Sequence, residues 1–557
     1  MSGKRPKTEL SAKDLLTKAA QAALDKGGIT LRPGQLATVA KVKELVGQGK
    51  RDIVIEAPTG SGKSVLALAI GLSCRSWLPD KAIAPPSGVC IATPQKMLQD
   101  QYEEEFEVNT LKGRANYACV ADPQDRTLRA TDCVLPFVGN KEKKRQFAAR
   151  HCTTCEYKRR ANLVKAASPS WPNVLNFSTL LYLQTYASTM ERTGILIVDE
   201  AHGVENTLRD FFTIELEEDE LGVWDTHLFT KDVESVKTYL LKVIQHYKNA
   251  PAIPGLKVEE RRRAYVTASR QLGWITSDAG WTVMDFETNK KGQLSKVIVR
   301  PKYLGPLANQ ALPREQYGIR IYMSATLSMT QFCSTMGLDR DQVGYVVMPS
   351  TFPVNRRPAL RDVVGSMGHS TKSKTLPAMC DKINALLDQY DKVRVIIHTV
   401  SGELAKEIGE GLAPQHVYRR VLHTGGSKER ALKEFTNVYR TTAVMISPSM
   451  SEGFNGKDGR ARVNIITKVP YPYLGDPLIS QLAHEDDQWY AEQAARTIVQ
   501  QYGRVMRHAE DYGITYILDK DFNRLYNQSR DLFPTWFQDA VRVGDQKLGI
   551  KDKVALI

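Results

Sequence analysis

Residues 52–64 read D-I-V-I-E-A-P-T-G-S-G-K-S. The opening Asp52–Glu56 is a short, β-branched apolar run of the length of one buried strand. The eight residues after it form a glycine-rich turn closed by Lys63 and Ser64, followed by an apolar helical stretch. A phosphate-cradling loop asks for glycine at the first of these eight positions, where Ala57 stands. The working parts are present. Thr59, Gly60, Ser61 and Gly62 let backbone N–H groups approach phosphate oxygens, and the next helix adds its positive end. Lys63 is placed to reach the β- and γ-phosphates, and Ser64 to ligate Mg²⁺. A plain glycine-rich turn between strand and helix leaves the Lys-Ser pair at the helix start without a reason.

Outward from this stretch the pattern repeats. Residues 88–92 (GVCIA) run into T-P-Q, residues 194–198 (GILIV) into D-E-A-H, and residues 318–323 (GIRIYM) into S-A-T-L. Residues 393–398 (VRVIIH), 442–446 (TAVMI), 463–467 (VNIIT) and 514–518 (ITYIL) continue the series. Apolar strands separated by helical stretches predict an α/β chain with parallel sheets covered on both faces. Function then gathers at the carboxyl ends of the strands, where the polar motifs sit. Two sheets are expected, divided near residue 346. Residues 111–165 and about 203–302 interrupt the first. Interruptions of that size are domains rather than loops. The second carries the acidic run E-L-E-E-D-E at 215–220, which reads as a solvated helix face, together with Arg261–Arg263, Trp274 and Trp281.

The 557 residues hold 76 Lys and Arg against 62 Asp and Glu, a net charge of +14, which favours a polyanionic partner over an acidic or neutral one. Apolar content of 42% is ordinary globular usage and excludes a wholly disordered chain. No run is long enough to predict a membrane span. The first eight residues are basic without an apolar core, so a secretory signal is not expected. Eight cysteines in so long a chain do not make a disulfide scaffold, and a cytoplasmic, reducing setting is expected.

Asp199 and Glu200 end a buried apolar run, where a carboxylate needs a partner. Mg²⁺ on Asp199, with Glu200 orienting and deprotonating water, satisfies that need. A helix cap with a following acid is the alternative. Near the other end, Gln500 opens Q-Q-Y-G-R-V-M-R. Arg504 and Arg507 lie three apart and share a helix face, which suits either a shifting phosphate charge or an ordinary basic surface.

Taken in order, these stretches resemble the superfamily 2 helicases of the XPD/DinG branch, the iron–sulfur DNA helicases. Arg32-Pro33-Gly34-Gln35 is similar to the nucleotide-gating Gln motif of that family, and residues 57–64 to motif I with its Ala variant. Thr93-Pro94-Gln95 resembles motif Ia, Asp199-Glu200-Ala201-His202 motif II, and Ser324-Ala325-Thr326-Leu327 motif III. Ser451-Glu452-Gly453-Phe454-Asn455 resembles motif V, although relatives carry Asp where Asn455 stands, and Gln500…Gly503-Arg504…Arg507 resembles motif VI. The V-P-Y-P at 469–472 with Asp476-Pro477 is similar to the segment that follows motif V. The resemblance spans roughly residues 30–540. It implies two RecA-like motor domains with ATP and Mg²⁺ between them. Arg32, Gln35, Glu452 and Gly453 join the nucleotide contacts, and His202 and Gln500 the catalytic set. It divides the chain into motor domain 1 (1–110, 166–204 and 303–345), a four-cysteine domain (111–165), a helical arch-like insertion (205–302) and motor domain 2 (346–557).

Cys119, Cys133, Cys152 and Cys155 are spaced C-x13-C-x18-C-x2-C. Four thiolates suit tetrahedral zinc or a 4Fe-4S cluster, and spacing alone leans to zinc. The resemblance implies the 4Fe-4S cluster. Tyr117, Tyr157, Lys141, Lys143, Lys144, Arg145, Arg150, Lys158, Arg159 and Arg160 surround them, a mix that can grip a backbone and stack bases or simply face solvent. The remaining cysteines, Cys74, Cys90, Cys333 and Cys380, read as small buried hydrophobes. The family likeness implies a monomeric ATP-driven motor on single-stranded and forked duplex DNA, with RNA–DNA hybrid as a further substrate and 5′→3′ travel, in a bacterial or phage-infected cell. A translocase that strips proteins without separating strands, and a DNA-binding adaptor with a silent motor, are the alternatives. The motif series begins near residue 30, so an amino-terminal nuclease domain is not expected.

Overall fold

A computed structural model describes residues 15–26, 28–77, 88–94, 96–106, 108–120, 127–133, 146, 148–165, 172–187, 193–218, 224, 226–249, 258–450, 461–505 and 512–543. The first sheet is built from β1 (Asp52–Glu56), β2 (Gly88–Thr93), β3 (Asn109–Leu111), β4 (Asn173–Asn176) and β5 (Thr193–Asp199). A three-stranded sheet follows, with β6 (Ile214–Glu217), β7 (Trp281–Thr288) and β8 (Leu294–Pro301). Then β9 (Ile319–Ser324) and β10 (Val343–Val347) return to the first sheet. The second large sheet holds β11 (Ala359–Gly365), β12 (Arg394–His398), β13 (Arg420–Leu422), β14 (Val444–Ser447), β15 (Ala461–Ile466), β16 (Ile514–Asp519) and β17 (Val541–Val543).

The first sheet runs β10-β1-β9-β5-β2-β4-β3 and the second β13-β14-β12-β15-β16-β11-β17, every pair parallel. The expected pair of doubly covered parallel sheets is what the chain forms. Register decides where function collects. Glu56 lies level with Ser324, and Asp199 with Met323, so the loops after β1, β5 and β9 leave the sheet side by side. Two apolar layers cover the first sheet: the helix Lys63–Cys74 contributes Leu66, Leu68 and Ile70 to one, while Phe177, Leu208 and Phe212 belong to the other.

The charged residue opening β1 has a specific partner. Asp52 is fully buried and receives two hydrogen bonds from Arg320 of β9, at 2.6 and 3.1 Å, and one from Arg314. Arg320 also donates from Nη1 to the Leu312 carbonyl at 2.7 Å.

The insertion after residue 205 contains two long helices, Val233–Asn249 and Val258–Ile275, and also the antiparallel sheet β6-β8-β7. The acidic run therefore does not begin as a helix face. Ile214 and Leu216 point inward, and Glu215 and Glu217 point outward to Lys296 of β8. The two-residue alternation of I-E-L-E fits a half-buried strand, and Lys296 neutralises its polar face. Among the described residues no helix is long and apolar enough to cross a membrane.

Candidate nucleotide site between the two domains

The loop after β1 turns through Gly60 (φ 74°) and Gly62 (φ 80°), a left-handed conformation that side-chain-bearing residues avoid. The hydroxyl of Ser61 is buried with no hydrogen-bond partner among the described residues, a donor set aside in a loop whose shape suits phosphate. The Gln motif braces this loop from behind. Gln35 donates from Nε2 to the carbonyls of Ser61 (3.1 Å) and Gly62 (3.2 Å), Arg32 donates to the Gly60 carbonyl (3.3 Å), and the Arg32 N–H donates to Gln35 Oε1 (2.8 Å).

Lys63 is 9% exposed and its ammonium lies 3.2 Å from the Glu200 carboxylate. Among the described residues Glu200 is the only non-glycine at positive φ (55°). An acidic side chain held in that conformation marks a position fixed by its surroundings. Burial opposes its charge, but Lys63 and His202 override burial and hold the carboxyl well below the usual range. Asp199 is pushed the other way, by burial first and then by the charge of Glu200. The pair thus separates into one firmly ionised carboxylate and one that gains from a cation, as a magnesium ligand does. Asp199 accepts hydrogen bonds from the Glu200 N–H (2.9 Å) and the Tyr102 hydroxyl (2.9 Å). That hydroxyl also interacts with Ser64, so Tyr102 ties the two magnesium-ligand candidates together. Ser64 and Asp199 together supply the oxygen donors that Mg²⁺ prefers. His202 Nδ1 lies 3.0 Å from Ser324 Oγ and 3.3 Å from the Glu200 carboxylate, joining the loops after β5 and β9.

The second domain meets this loop directly. The helix Asp487–Tyr502 ends at Gly503, where an added Cβ would come within 2.7 Å of Thr59 Oγ1. A side chain at this position would force Thr59 to shift. Arg504 follows at once; its Nε donates to the Gln500 carbonyl (3.2 Å), and its charge reaches His398 at the end of β12. Asn464 donates to the Gln501 carbonyl (2.7 Å) and anchors this turn to β15. Arg507, Glu452 and Gly453 lie outside the described residues, as do Gln95 and the rest of residues 451–460.

Reading the sequence missed three members of this neighbourhood. Tyr102 is one. Glu205, three residues after His202, and Arg496, eight before Arg504, are the others: Arg496 donates to the His202 carbonyl at 3.2 Å.

The four cysteines are free thiols of intermediate exposure. Burial and the other three cysteines raise the Cys152 thiol, against the opposing pull of Lys158. They are thus within electrostatic reach of one another, and the donor chemistry suits a thiolate-held metal. Among the described residues no three ligands close into a metal-holding group. Tyr117 is buried and packs against Tyr157 (ring centroids 5.7 Å apart), so it is not free to stack a base. Arg160 is engaged by Glu103 (2.7 Å) and Glu156 (2.6 Å), fastening the helix Glu156–Lys165 to the first domain. Lys141, Lys143, Lys144 and Arg145 lie outside the described residues.

The fold and this site define a two-domain, RecA-like P-loop protein with its nucleotide site between the halves. Residues 28–215 match the family model described as type III restriction enzyme, res subunit, and residues 380–540 match the helicase C-terminal domain. The human regulator of telomere elongation helicase 1 is 32% identical over 111 residues, covering 17% of this chain and 9% of that protein. Its Arabidopsis thaliana homologue is 34% identical over 100 residues, covering 14% and 10%. These matches reach only about a tenth of the length of the curated relatives. Among solved structures, one titled XPD helicase has a TM-score of 0.57 at 16% identity, covering 92% of this chain and all of that one. S. tokodaii Xpd4 has a TM-score of 0.51 at 14% identity, with coverage of 92% and 100%. These two are likenesses of fold. Together the two domain matches, the telomere-helicase relatives and the XPD-like fold support an XPD/DinG-like superfamily 2 helicase.

Proposed function

We propose that this protein is an ATP-driven DNA helicase that moves 5′→3′ along single-stranded DNA and opens forked duplexes. The observation that carries the reading is the contact of Gly503 with Thr59, because it sets Arg504 of one domain beside the phosphate loop of the other. Lys63 neutralises the β- and γ-phosphates. Glu200 accepts a proton from water as the water oxygen attacks the γ-phosphorus and the bond to the β-bridging oxygen breaks, leaving ADP and phosphate. Ser64 and Asp199 would hold Mg²⁺, which would supply neutralisation of the phosphate charge. Lys63 stands 3.2 Å from Glu200, so a phosphate that competes for Lys63 would free Glu200 for water. Closure of the two domains on ATP and their parting after hydrolysis alternate the grip on the strand. Cys119, Cys133, Cys152 and Cys155 would hold a 4Fe-4S cluster, which gives a small domain rigidity it cannot get from its own core. The net charge of +14 supports a nucleic-acid track.

The test is a forked DNA duplex with a 5′ single-stranded tail, with ATP hydrolysis followed in the same sample. Wild type should hydrolyse ATP faster with single-stranded DNA and separate the fork. Hydrolysis stimulated by DNA without strand separation would favour a translocase. No hydrolysis in either condition would favour the adaptor.

A further inference from the structure

We propose that Glu205 and Arg496 form a buried interdomain link that positions the D-E-A-H loop for hydrolysis when the second domain is docked; the proposal rests on the reading of that loop as the ATP-hydrolysing site. Glu205 lies on the first turn of the helix Val204–Phe212, and its side chain is 10% exposed. Its own helix supplies one partner, Arg209 at 3.1 Å. The other partners come from the second domain's helix Asp487–Tyr502. Trp489 Nε1 donates to Oε1 at 3.1 Å, Gln493 Nε2 donates to Oε2 at 3.4 Å, and Arg496 stands 3.7 Å from Oε2.

Arg496 has a second contact that gives the link its use. It donates to the backbone carbonyl of His202, whose ring touches both Glu200 and Ser324. One helix of the second domain therefore holds the backbone of the D-E-A-H loop and, eight residues later, delivers Arg504. The same helix is capped by Asp486, which accepts a hydrogen bond from Gln331 of the first domain at 3.0 Å. A buried carboxylate is tolerable only while its partners are in place. When the domains part, Glu205 keeps Arg209 and loses three donors, and the His202 carbonyl loses one. The docked arrangement is thus set apart from the parted one by a network that is complete or broken, which is what a two-state coupling element requires.

Glu205→Gln, Arg496→Lys, Arg496→Ala and the double variant Glu205→Gln/Arg496→Ala separate this role from a merely structural one. The readouts are kcat and KM for ATP with single-stranded DNA present, and the thermal midpoint. Glu205→Gln should lower kcat about tenfold with KM for ATP within about twofold, a barrier change of roughly 1.4 kcal/mol. Arg496→Lys should fall between wild type and Arg496→Ala. The double variant should be little worse than Arg496→Ala alone, because both changes break one link. Additive losses, a KM that rises in step with the fall in kcat, or unchanged kinetics would overturn the proposal. Should Glu205→Gln unfold, Trp489→Phe decides: it removes one donor and keeps an aromatic ring in that place, and an unaltered kcat there overturns the link. Wild type without DNA-stimulated hydrolysis would instead sink the functional reading itself.

Discussion

Glu200 occupies a backbone conformation that costs a side-chain-bearing residue roughly 1–2 kcal/mol, and it does so with its carboxylate on Lys63. The surroundings hold it there, and on the proposed function this keeps the proton acceptor pointed into the cleft. Glu200→Gln should therefore bind a fluorescent ATP analogue about as tightly as wild type while kcat drops at least about a hundredfold. Turnover close to wild type would remove Glu200 from the role of base. Lys63→Ala should lose both binding and turnover, since the loop then presents no cation to the phosphates. Tyr102→Phe addresses the bridge to Ser64 and Asp199. Without the hydroxyl, half-maximal activity should need a few times more Mg²⁺, read by titrating the metal at fixed ATP. Lys63, Asp199 and Glu200 stand out in the chain because Lys63 opens a helix after a glycine-rich turn and the two acids come at and just after the end of an apolar strand, each within a spaced motif. Tyr102 was not, since an aromatic in an amphipathic helix looks like any core residue until its hydroxyl is seen on Asp199.

The helix Asp487–Tyr502 carries a buried acid with consequences for pH. Burial pushes Glu492 up to about 7, with Glu205 and Asp486 adding to the rise and Arg496 and the Ser328 N–H opposing it. Its ordinary value is 4.5. Between these two values the folded chain keeps a proton that the unfolded chain has released, so this group's contribution is intact below the lower value and declines as pH rises through the window. Glu492→Gln should flatten that decline. Melts at pH 5 and pH 8 should show the variant gaining on wild type at the higher pH, and a constant difference would mean that Glu492 is ionised throughout. At β1, Arg320→Met should cost about 3 kcal/mol in urea unfolding, because it leaves the buried Asp52 charge with the half-exposed Arg314 as its one remaining cation. Strands and helices were readable from apolar spacing, and the order of the first sheet's motifs followed. The partner of Asp52 was not, since it lies 268 positions away. The start of the acidic run is a strand although its charge count points to a helix face: the I-E-L-E alternation is short, and Lys296, which neutralises the strand's outer face, is remote in sequence.

At the scale of the whole molecule, two further sets of contacts join the two RecA-like domains beside the Gly503–Thr59 approach and the Gln331–Asp486 hydrogen bond. The Glu205–Arg496 network is buried. The others run from the insertion to the second domain's helix Pro477–Glu485 and stand near water: Thr282 to Gln481 at 2.9 Å, Arg300 to Asp476 at 3.3 Å, Lys302 to Glu485, and the Tyr303 hydroxyl to Glu485 at 2.9 Å. These pairings join positions well over a hundred residues apart, so no local pattern announces them, whereas the existence of two domains was plain from the break between two strand series. Glu485 is 42% exposed and Arg300 35%, so each ion pair contributes about 0–1 kcal/mol and is screened by salt. Contacts this weak can be made and broken readily, which suits the parting of the domains that the proposed function requires. The double variant Arg300→Ala/Lys302→Ala should leave the thermal midpoint within a few degrees. It should make the nucleotide-free protein more open at 0.1 M NaCl, measured as a longer distance between fluorescent labels on the two domains. Raising wild type to 0.5 M NaCl should lengthen that distance too, and the variant, already lacking the pairs, should respond less. An equal response of both proteins to salt would show that these bridges do not hold the insertion on the second domain.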